Sequence, residues 1–337
     1  MRSRRRLWLT FLLGGGMFLC IIFGSDTAMT GATEGIGVCL HTIVPVLLPY
    51  IFLSSLLAGT ITGRRIPLLR PFGWLCSIPA GAESLFLLGL ISGYPVGAKL
   101  IGEAYGKGEL SHSAANRMMA FCSNAGPSFI LGMLPHLFTK GIVPWLLWFI
   151  HIVSAILIGM LIPSKDPPIA VEMKLSNSDL SKVMSQTVKS LSLICGWVIL
   201  FRILIAFICE YFRVYLSPVI RVILIGLMEL ANGCISLNQI PYESVRFVIC
   251  SCILAFGGLC VMMQTSSVCY GLGLRMYIVG KILQTLISLA IALPCSYLLY
   301  SIKPDIWFFL CFAVLVAIIT LAIVTFQNGK KKIVAIP

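Results

Sequence analysis

A lysine follows a glycine- and proline-containing interruption of an apolar stretch at residues 92–103, SGYPVGAKLIGE. A helix that restarts near Gly97 presents free backbone N–H groups, and Lys99 adds a positive charge, so this segment could bind an anionic group. Alternatively, Lys99 extends to the lipid–water interface and pairs with Glu103 four residues later. The sequence leaves both interpretations open. The candidate binding residues here are Ser92, Gly93, Tyr94, Pro95, Gly97 and Lys99.

Short hydrogen-bonding side chains lie in residues 121–129, FCSNAGPSF, beside a second glycine–proline break. In an apolar environment such groups are costly unless they find partners, so we expect either a ligand or a facing helix at this place. The two explanations are equally good from the sequence. The candidates are Ser123, Asn124 and Ser128.

A carboxylate lies inside an apolar run at Glu229, in the sequence LIGLMELANG, and Asn232 follows one turn later. Because ionisable groups in apolar runs are rare and expensive, Glu229 is a candidate functional residue that could carry a coupling proton or hold a cation. A purely structural pair with Arg202, which lies inside the apolar run 183–209, is the competing interpretation.

A fourth segment, residues 255–267, contains the pair Gly257-Gly258 followed by polar residues. The two glycines permit close backbone approach, and the polar side chains after them could orient a substrate. Met262 and Met263 are expected to make apolar contacts rather than to bind a metal. The candidates are Gln264, Thr265 and Ser266.

Familiar catalytic and cofactor-binding motifs do not occur in the sequence. It contains no GxxxxGK[ST], HExxH or GxSxG pattern, so we predict that the protein is not an enzyme. Most of the 13 cysteines lie in apolar runs without CxxC pairs, and the 4 histidines lack the spacing of metal ligands. We therefore predict no cofactor and no metal site.

The composition places these segments in a membrane. Of the 337 residues, 58% are hydrophobic and only 11% are charged, whereas soluble domains average about 25% charged residues; the mean hydropathy is +0.99. The net charge of +13 comes largely from basic residues at the ends of apolar runs, as the positive-inside rule describes. The predicted partners are the lipid bilayer and a small-molecule substrate, not a nucleic acid, and a homo-oligomer is left open.

Apolar runs of about 20 residues predict the membrane-spanning helices. The N-terminal run is interpreted as a retained helix rather than a signal peptide. Between the runs lie apolar segments that glycine and proline interrupt, and their unpaired peptide groups must be buried in protein or line a wet cavity. We predict an all-α polytopic protein of the cell membrane, with about eight transmembrane helices plus re-entrant or broken helices. The apolar runs are 7–24, 43–62, 141–162, 183–209, 247–269, 278–299 and 306–326, and the interrupted segments are 66–82, 84–101, 119–138 and 217–235.

A hydrophilic stretch at 163–182 divides the chain into two halves with short internal matches. Residues 87–90, LLGL, resemble 224–227, LIGL, and the pair Ala-Phe occurs at both 120–121 and 255–256. Duplication with interrupted helices is typical of secondary transporters built from inverted-topology repeats. The predicted organisation is an N-terminal transmembrane helix at 1–34, a first repeat at 35–162, the linker at 163–182, a second repeat at 183–300, and a C-terminal transmembrane helix with a basic tail at 301–337.

The motif GYPVGAK at 93–99, followed by an amphipathic charged stretch and FCSNAGP at 121–127, resembles the sporulation integral membrane protein YlbJ (SpoVV) family. The resemblance covers roughly 35–325 and includes the LxGLxE…G element that ends at Gly233. Members of the family carry two Gate, or nucleoside-recognition, domains and are related in design to concentrative nucleoside transporters. This chain departs from the family at 229–233, which usually reads EVTTG, and at Met263, where a histidine usually precedes the glutamine.

The resemblance implies transport of a small polar molecule during endospore formation, with dipicolinic acid as the cargo and the outer forespore membrane as one location. We therefore predict a secondary carrier whose site lies between 92–99 and 123–128 of the first half and 229–232 and 264–266 of the second. On this prediction, Lys99→Met abolishes uptake of an anion without loss of membrane insertion. The alternatives are a nucleoside or nucleobase transporter and a non-transporting membrane scaffold for spore assembly.

Overall fold

A computed structural model describes residues 14–61, 66–162, 164, 179–212, 214–269 and 271–334 of the chain. Within these residues the structure consists of α-helices, short 3-10 turns and one π-helical segment, Cys39–Ile43, without a β-strand. The α-helices are α1 (Gly14–Phe23), α2 (Ser25–Val38), α3 (Val44–Ile61), α4 (Arg70–Leu75), α5 (Glu83–Ser92), α6 (Val96–Gly106), α7 (His112–Met119), α8 (Pro127–Met133), α9 (Val143–Leu161), α10 (Leu180–Phe212), α11 (Pro218–Met228), α12 (Leu230–Ser236), α13 (Glu243–Phe256), α14 (Gly258–Val268), α15 (Arg275–Leu299) and α16 (Ile306–Val334).

Six helical segments of the described chain are long and apolar enough to cross a membrane. Large apolar side chains such as Phe149 and Trp307 remain exposed on their surfaces, and a surface of this kind suits lipid rather than water. The predicted all-α polytopic membrane fold is therefore confirmed. The six segments are Ser25–Leu57, Val143–Leu161, Leu180–Phe212, Glu243–Val268, Arg275–Leu299 and Ile306–Phe326.

The helix boundaries differ from the predicted spans at several places. The span predicted at 43–62 belongs to a longer segment, because α2 continues through the π-helical residues into α3. Helix α10 begins at Leu180, inside the stretch predicted as a linker, and most of that linker lies outside the described residues. The beginning of the span predicted at 7–24 also lies outside the described residues, whereas its remainder, Gly14–Phe23, is helical.

Four helix interruptions occur in the same order in the two halves. Helix α5 gives way to α6 at Gly93, and α11 gives way to α12 at Glu229. The second pair comprises the unwound stretch 120–126 between α7 and α8, and the break at Gly257 between α13 and α14. Gly93 and Gly257 have φ angles of 80° and 78°, which glycine adopts without strain. The predicted duplication, its domain boundaries and its inverted topology stay predictions.

Glycines allow neighbouring helices to touch the backbone of the unwound stretch 120–126. A Cβ atom on Gly89 of α5 or on Gly97 of α6 would lie 1.8 or 2.1 Å from the carbonyl oxygen of Cys122. A Cβ atom on Gly280 of α15 would lie 2.1 Å from the carbonyl oxygen of Ala120. These contacts leave no space for a side chain, so the three helices hold the unwound stretch in one position.

Candidate functional site

Interruptions from both halves meet around a cavity of about 50 Å³. Tyr94, Glu229 and Gln264 are among the residues that line it, but most of its wall is apolar and includes Ile194 and Val198 of α10. A cavity of this volume holds a few water molecules, whereas sites for drug-sized ligands measure about 300–1,000 Å³. The cavity must therefore widen before a metabolite can occupy it.

Side chains of neighbouring helices satisfy peptide groups of the unwound stretch 120–126. Lys281 of α15 donates to the carbonyl oxygen of Ser123 at 2.5 Å. The backbone N–H of Ala125 donates to Nε2 of His151 on α9 at 2.9 Å. All seven residues of the stretch are buried. The sequence allowed these peptide groups either to be buried in protein or to line a wet cavity. Burial in protein is therefore the main environment, although Ala125 and Gly126 also line the cavity.

Lys281 is completely buried, and in the described part of the chain its ammonium group contacts neutral groups alone. Besides the carbonyl of Ser123, Nζ donates to Oε1 of Gln284 at 2.6 Å and to the hydroxyl of Tyr94 at 3.0 Å. Nζ also lies 4.9 Å from the ring centroid of Tyr94 and 5.7 Å from that of Tyr277, within the range of cation–π attraction. A buried lysine without an ionic partner is expensive to charge and marks a candidate functional group.

A network of amide groups holds the partners of Lys281 in place. Nε2 of Gln284 donates to Oδ1 of Asn124 at 2.9 Å and to the carbonyl oxygen of His151 at 3.3 Å, which leaves Oε1 for Lys281. Asn124 in turn donates to the carbonyl oxygen of Phe121 at 2.7 Å. Because each amide uses its donors and acceptors in one consistent pattern, the orientation of Gln284 towards Lys281 is fixed.

Glu229 precedes α12 and is 3% exposed. Its carboxylate accepts hydrogen bonds from the backbone N–H groups of Ala231 (3.0 Å) and Asn232 (2.6 Å), and from Nδ2 of Asn232 (2.6 Å). Arg202 forms its ion pair with Glu34 of α2, which packs along α10. Arg202 and Glu229 therefore do not form the ion pair that the sequence suggested. The pair with Glu34 depends on the packing of α2 against α10, which the sequence does not give.

Most of the predicted site residues are buried near the interruptions, but two lie elsewhere. Lys99 is half-buried and donates to the hydroxyl of Ser190 on α10 at 3.4 Å, because the first turn of α6 directs its side chain towards that helix. Ser266 is exposed near the end of α14. Of the 14 predicted residues, four line the cavity, namely Gly93, Tyr94, Glu229 and Gln264, and a role in binding stays a prediction for the whole set. The buried members are Ser92, Gly93, Tyr94, Pro95, Gly97, Ser123, Asn124, Ser128, Glu229, Asn232, Gln264 and Thr265.

Lys281 and Gln284 were absent from the residues predicted for the site. Together with Tyr277 and Ser288 they recur at intervals of four, three and four residues, which places them on one face of α15. All four are buried. A polar stripe at helical spacing inside an apolar run is the pattern that could have identified them.

The short connections 134–142, between α8 and α9, and 237–242, between α12 and α13, are joined to each other by side-chain contacts. Helices α8 and α12 lead to these turns from the cavity, whose wall includes Phe129 and Leu230. Arg246 donates from Nε to the carbonyl oxygen of Ile240 at 2.6 Å and from Nη1 to that of Leu137 at 2.8 Å, one in each turn. The side chains of Leu137 and Ile240 are buried beneath these contacts.

Glu243 adds a second link between the two turns. Its carboxylate accepts hydrogen bonds from the backbone N–H of Thr139 at 2.9 Å and from the hydroxyl of Thr139 at 3.1 Å. The hydroxyl of Tyr300 also donates to it, at 3.3 Å. We call the contacts of Arg246 and Glu243 with these turns the turn junction.

Replacing Arg246 with alanine is expected to lower the free energy of unfolding by about 2 kcal/mol, because two buried carbonyl groups lose their donor. Thermal unfolding of the purified protein in detergent measures this effect. Arg275→Ala is the matched control, since Arg275 is an exposed arginine at the start of α15. Equal melting temperatures for the two variants would contradict a stabilising role for the turn junction.

Comparison with known proteins gives a partial match. Over 117 residues the chain is 27% identical to the sporulation integral membrane protein YlbJ of Bacillus subtilis (strain 168). The matched segment is 33% of this chain and 28% of that protein, so it spans less than a third of the relative's length. No family model matches the chain, and no solved structure matches it. The chain is thus an integral membrane protein that is similar, over a third of its length, to a sporulation membrane protein.

Proposed function

We propose that the protein is a secondary carrier that moves a small polar or anionic metabolite across a membrane. The observation that supports this proposal most strongly is the meeting of interrupted helices from both halves around a cavity whose wall contains Glu229 and Gln264. Interrupted helices present backbone and side-chain polar groups at membrane depth, where carriers bind their substrates. A bundle with a purely structural role does not require a buried carboxylate there.

The proposed cycle opens the cavity first to one side of the membrane and then to the other. The turn junction joins the connections that follow α8 and α12, and on this proposal its hydrogen bonds break when the cavity opens towards it. Glu229 would carry the coupling proton. A charged carboxylate on the cavity wall repels an anionic substrate, and protonation of Glu229 removes this repulsion when the substrate binds.

Dipicolinic acid is the substrate that we propose first. The similarity to a sporulation integral membrane protein supports a role in endospore formation, and the resemblance carried by residues 93–99 implies this cargo. The same reasoning gives the cell membrane, or the outer forespore membrane, as the proposed location. Lys281, which contacts Tyr94 of the cavity wall, provides a positive charge suited to a dicarboxylate.

A nucleoside or nucleobase is the second candidate substrate. Glu229 and Gln264 offer hydrogen-bond acceptors and donors on the cavity wall, and Tyr94 offers an aromatic ring. A neutral base could use these groups without a counter-charge. Uptake of radiolabelled uridine, adenosine and dipicolinate into proteoliposomes separates the two candidates.

Blocking the cavity tests the carrier proposal. Ile194→Trp introduces a large side chain into the cavity wall from α10, and we expect at least about tenfold lower uptake of the transported compound, because the volume needed by the substrate is filled. The adjacent residue Leu193 is 37% exposed, so Leu193→Trp is the matched control for the effect of a tryptophan on α10.

Equal uptake by the two tryptophan variants would exclude this cavity as the transport path. A non-transporting scaffold for spore assembly makes a different prediction. It requires that the wild-type protein takes up none of the three compounds, and that Lys99, Asn124 and Glu229 can each become apolar without affecting sporulation.

A further inference from the structure

We infer that Lys281 is the counter-charge for a carboxylate of the substrate, and that the hydroxyl of Tyr94 occupies this position until the substrate arrives. The inference rests on the proposed carrier function and assigns the substrate to carboxylate-bearing molecules. Its basis is a fully buried ammonium group whose hydrogen-bond partners are a carbonyl, an amide oxygen and a phenol hydroxyl.

Tyr94 connects this ammonium group to the cavity. Tyr94 is one of the residues that line the cavity, and its hydroxyl lies 3.0 Å from Nζ of Lys281. The hydroxyl is also 3.3 Å from the carbonyl oxygen of Leu254, so it keeps an acceptor after it releases Lys281. Because Tyr94 follows Gly93 at the break between α5 and α6, its backbone lies where regular helical hydrogen bonding is interrupted. A ligand in the cavity therefore needs to displace one side chain to reach the charge.

The exchange of Tyr94 for a carboxylate is favourable on electrostatic grounds. A neutral hydrogen bond would be replaced by a charge-assisted one, which is shorter and about twice as strong. Ser123 and Gln284 keep their contacts with Nζ during this exchange. Since the amide network with Asn124 already fixes Gln284, the ammonium group is preorganised for its new partner.

A purely structural role for Lys281, in which it holds the unwound stretch 120–126, leads to different expectations. Loss of that support would affect every substrate alike, whatever its charge. Loss of a counter-charge would affect carboxylates selectively. Compounds of one shape and different charge therefore distinguish the two roles.

Uptake into proteoliposomes is measured for dipicolinate, which is pyridine-2,6-dicarboxylate, and for its neutral analogue pyridine-2,6-dimethanol. For Lys281→Met we expect at least about thirtyfold lower uptake of the dicarboxylate, as when one partner of a buried charge pair is truncated. Uptake of the neutral analogue and of uridine, where the wild type shows any, should stay close to the wild-type rate. Lys107→Met, at an exposed lysine after α6, is the control and should leave all rates unchanged.

Tyr94→Phe provides a second test that does not depend on the folding of Lys281→Met. Removing the competing hydroxyl should lower the KM for the dicarboxylate about fivefold, because a neutral hydrogen bond contributes about 1 kcal/mol and this free energy corresponds to about a fivefold change in affinity. A purely structural role of the contact predicts an unchanged or higher KM. An unchanged or higher KM in Tyr94→Phe, or wild-type uptake of the dicarboxylate by Lys281→Met, would overturn the inference.

The wild-type protein separates a failure of this inference from a failure of the carrier proposal. Uptake of uridine or pyridine-2,6-dimethanol without uptake of the dicarboxylate would leave a carrier in place and overturn the role of Lys281. Uptake of none of these compounds would count against the carrier itself.

Discussion

Replacing Gly97 with alanine is expected to lower the free energy of unfolding by about 3 kcal/mol, the upper part of the range for overpacking. The added methyl group would lie 2.1 Å from the carbonyl oxygen of Cys122 and 3.0 Å from the Cα atom of Gly89. Both neighbours are backbone atoms, which cannot move aside as a flexible side chain can. Thermal unfolding in detergent and the yield of monodisperse protein measure the effect.

Gly196→Ala is the matched control for the Gly97 variant. Gly196 lies within α10, and no atom beyond the adjoining backbone of that helix lies within 4 Å of the position of its Cβ. Alanine there should be neutral or should stabilise the helix by up to about 1 kcal/mol, because alanine has the higher helix propensity. If Gly97→Ala unfolded at the same temperature as Gly196→Ala, the contact of α6 with the unwound stretch would be refuted.

Uptake of the transported compound by Glu229→Gln is expected to fall at least about tenfold, because glutamine cannot carry a proton. The variant should also be less stable, because a buried donor left unsatisfied costs about 1–3 kcal/mol. The carboxylate of Glu229 accepts three hydrogen bonds, two of them at the start of α12. Glutamine keeps one acceptor oxygen and directs an NH₂ group at the remaining donors. Initial rates of uptake and melting temperatures, measured together, separate the two effects.

Glu210→Gln is the control for this variant, because Glu210 is an exposed residue near the end of α10. It should transport at the wild-type rate. The role proposed for Glu229 in coupling would be disproved by wild-type uptake in Glu229→Gln under an imposed proton gradient.

The sequence predicted the interruptions of the first half because local chemistry determines them, whereas the break at Gly257 lies inside the run 247–269, which was not predicted to be interrupted. Gly93 before Tyr94-Pro95, and Gly126 before Pro127, cannot continue a regular helix, and the structure breaks at both places. Glu229 was also identified, since a carboxylate inside an apolar run is unusual wherever the run lies. These features depend on a few consecutive residues.

No short motif marks the buried lysine in the same way, and only the polar stripe along one face of α15 could have pointed to it. Lys99 and Lys281 both lie in the first or second turn of an apolar helix, and the sequence does not give the depth or the direction of either side chain. In the structure Lys99 reaches Ser190 near the surface of α10, whereas Lys281 points at the unwound stretch. The difference depends on how α6 and α15 pack, which involves residues far apart in the chain.

Long-range packing also decides the ion pair of Arg202. Glu34 is 168 residues away in the chain and belongs to a helix whose pairing with α10 has no sequence motif. Glu229, which is closer in sequence, instead uses the N–H groups of its own helix. Local patterns therefore identified which residues are unusual, but not which of them are partners.

Substrate counterflow tests the carrier proposal most directly, because it requires no knowledge of the coupling ion. Proteoliposomes are loaded with unlabelled dipicolinate or uridine and diluted into a trace of the labelled compound. The proposal predicts transient accumulation of label with the wild-type protein and with Leu193→Trp, but at least about tenfold less with Ile194→Trp. Absence of accumulation with every compound, or equal accumulation with both tryptophan variants, would contradict transport through the cavity.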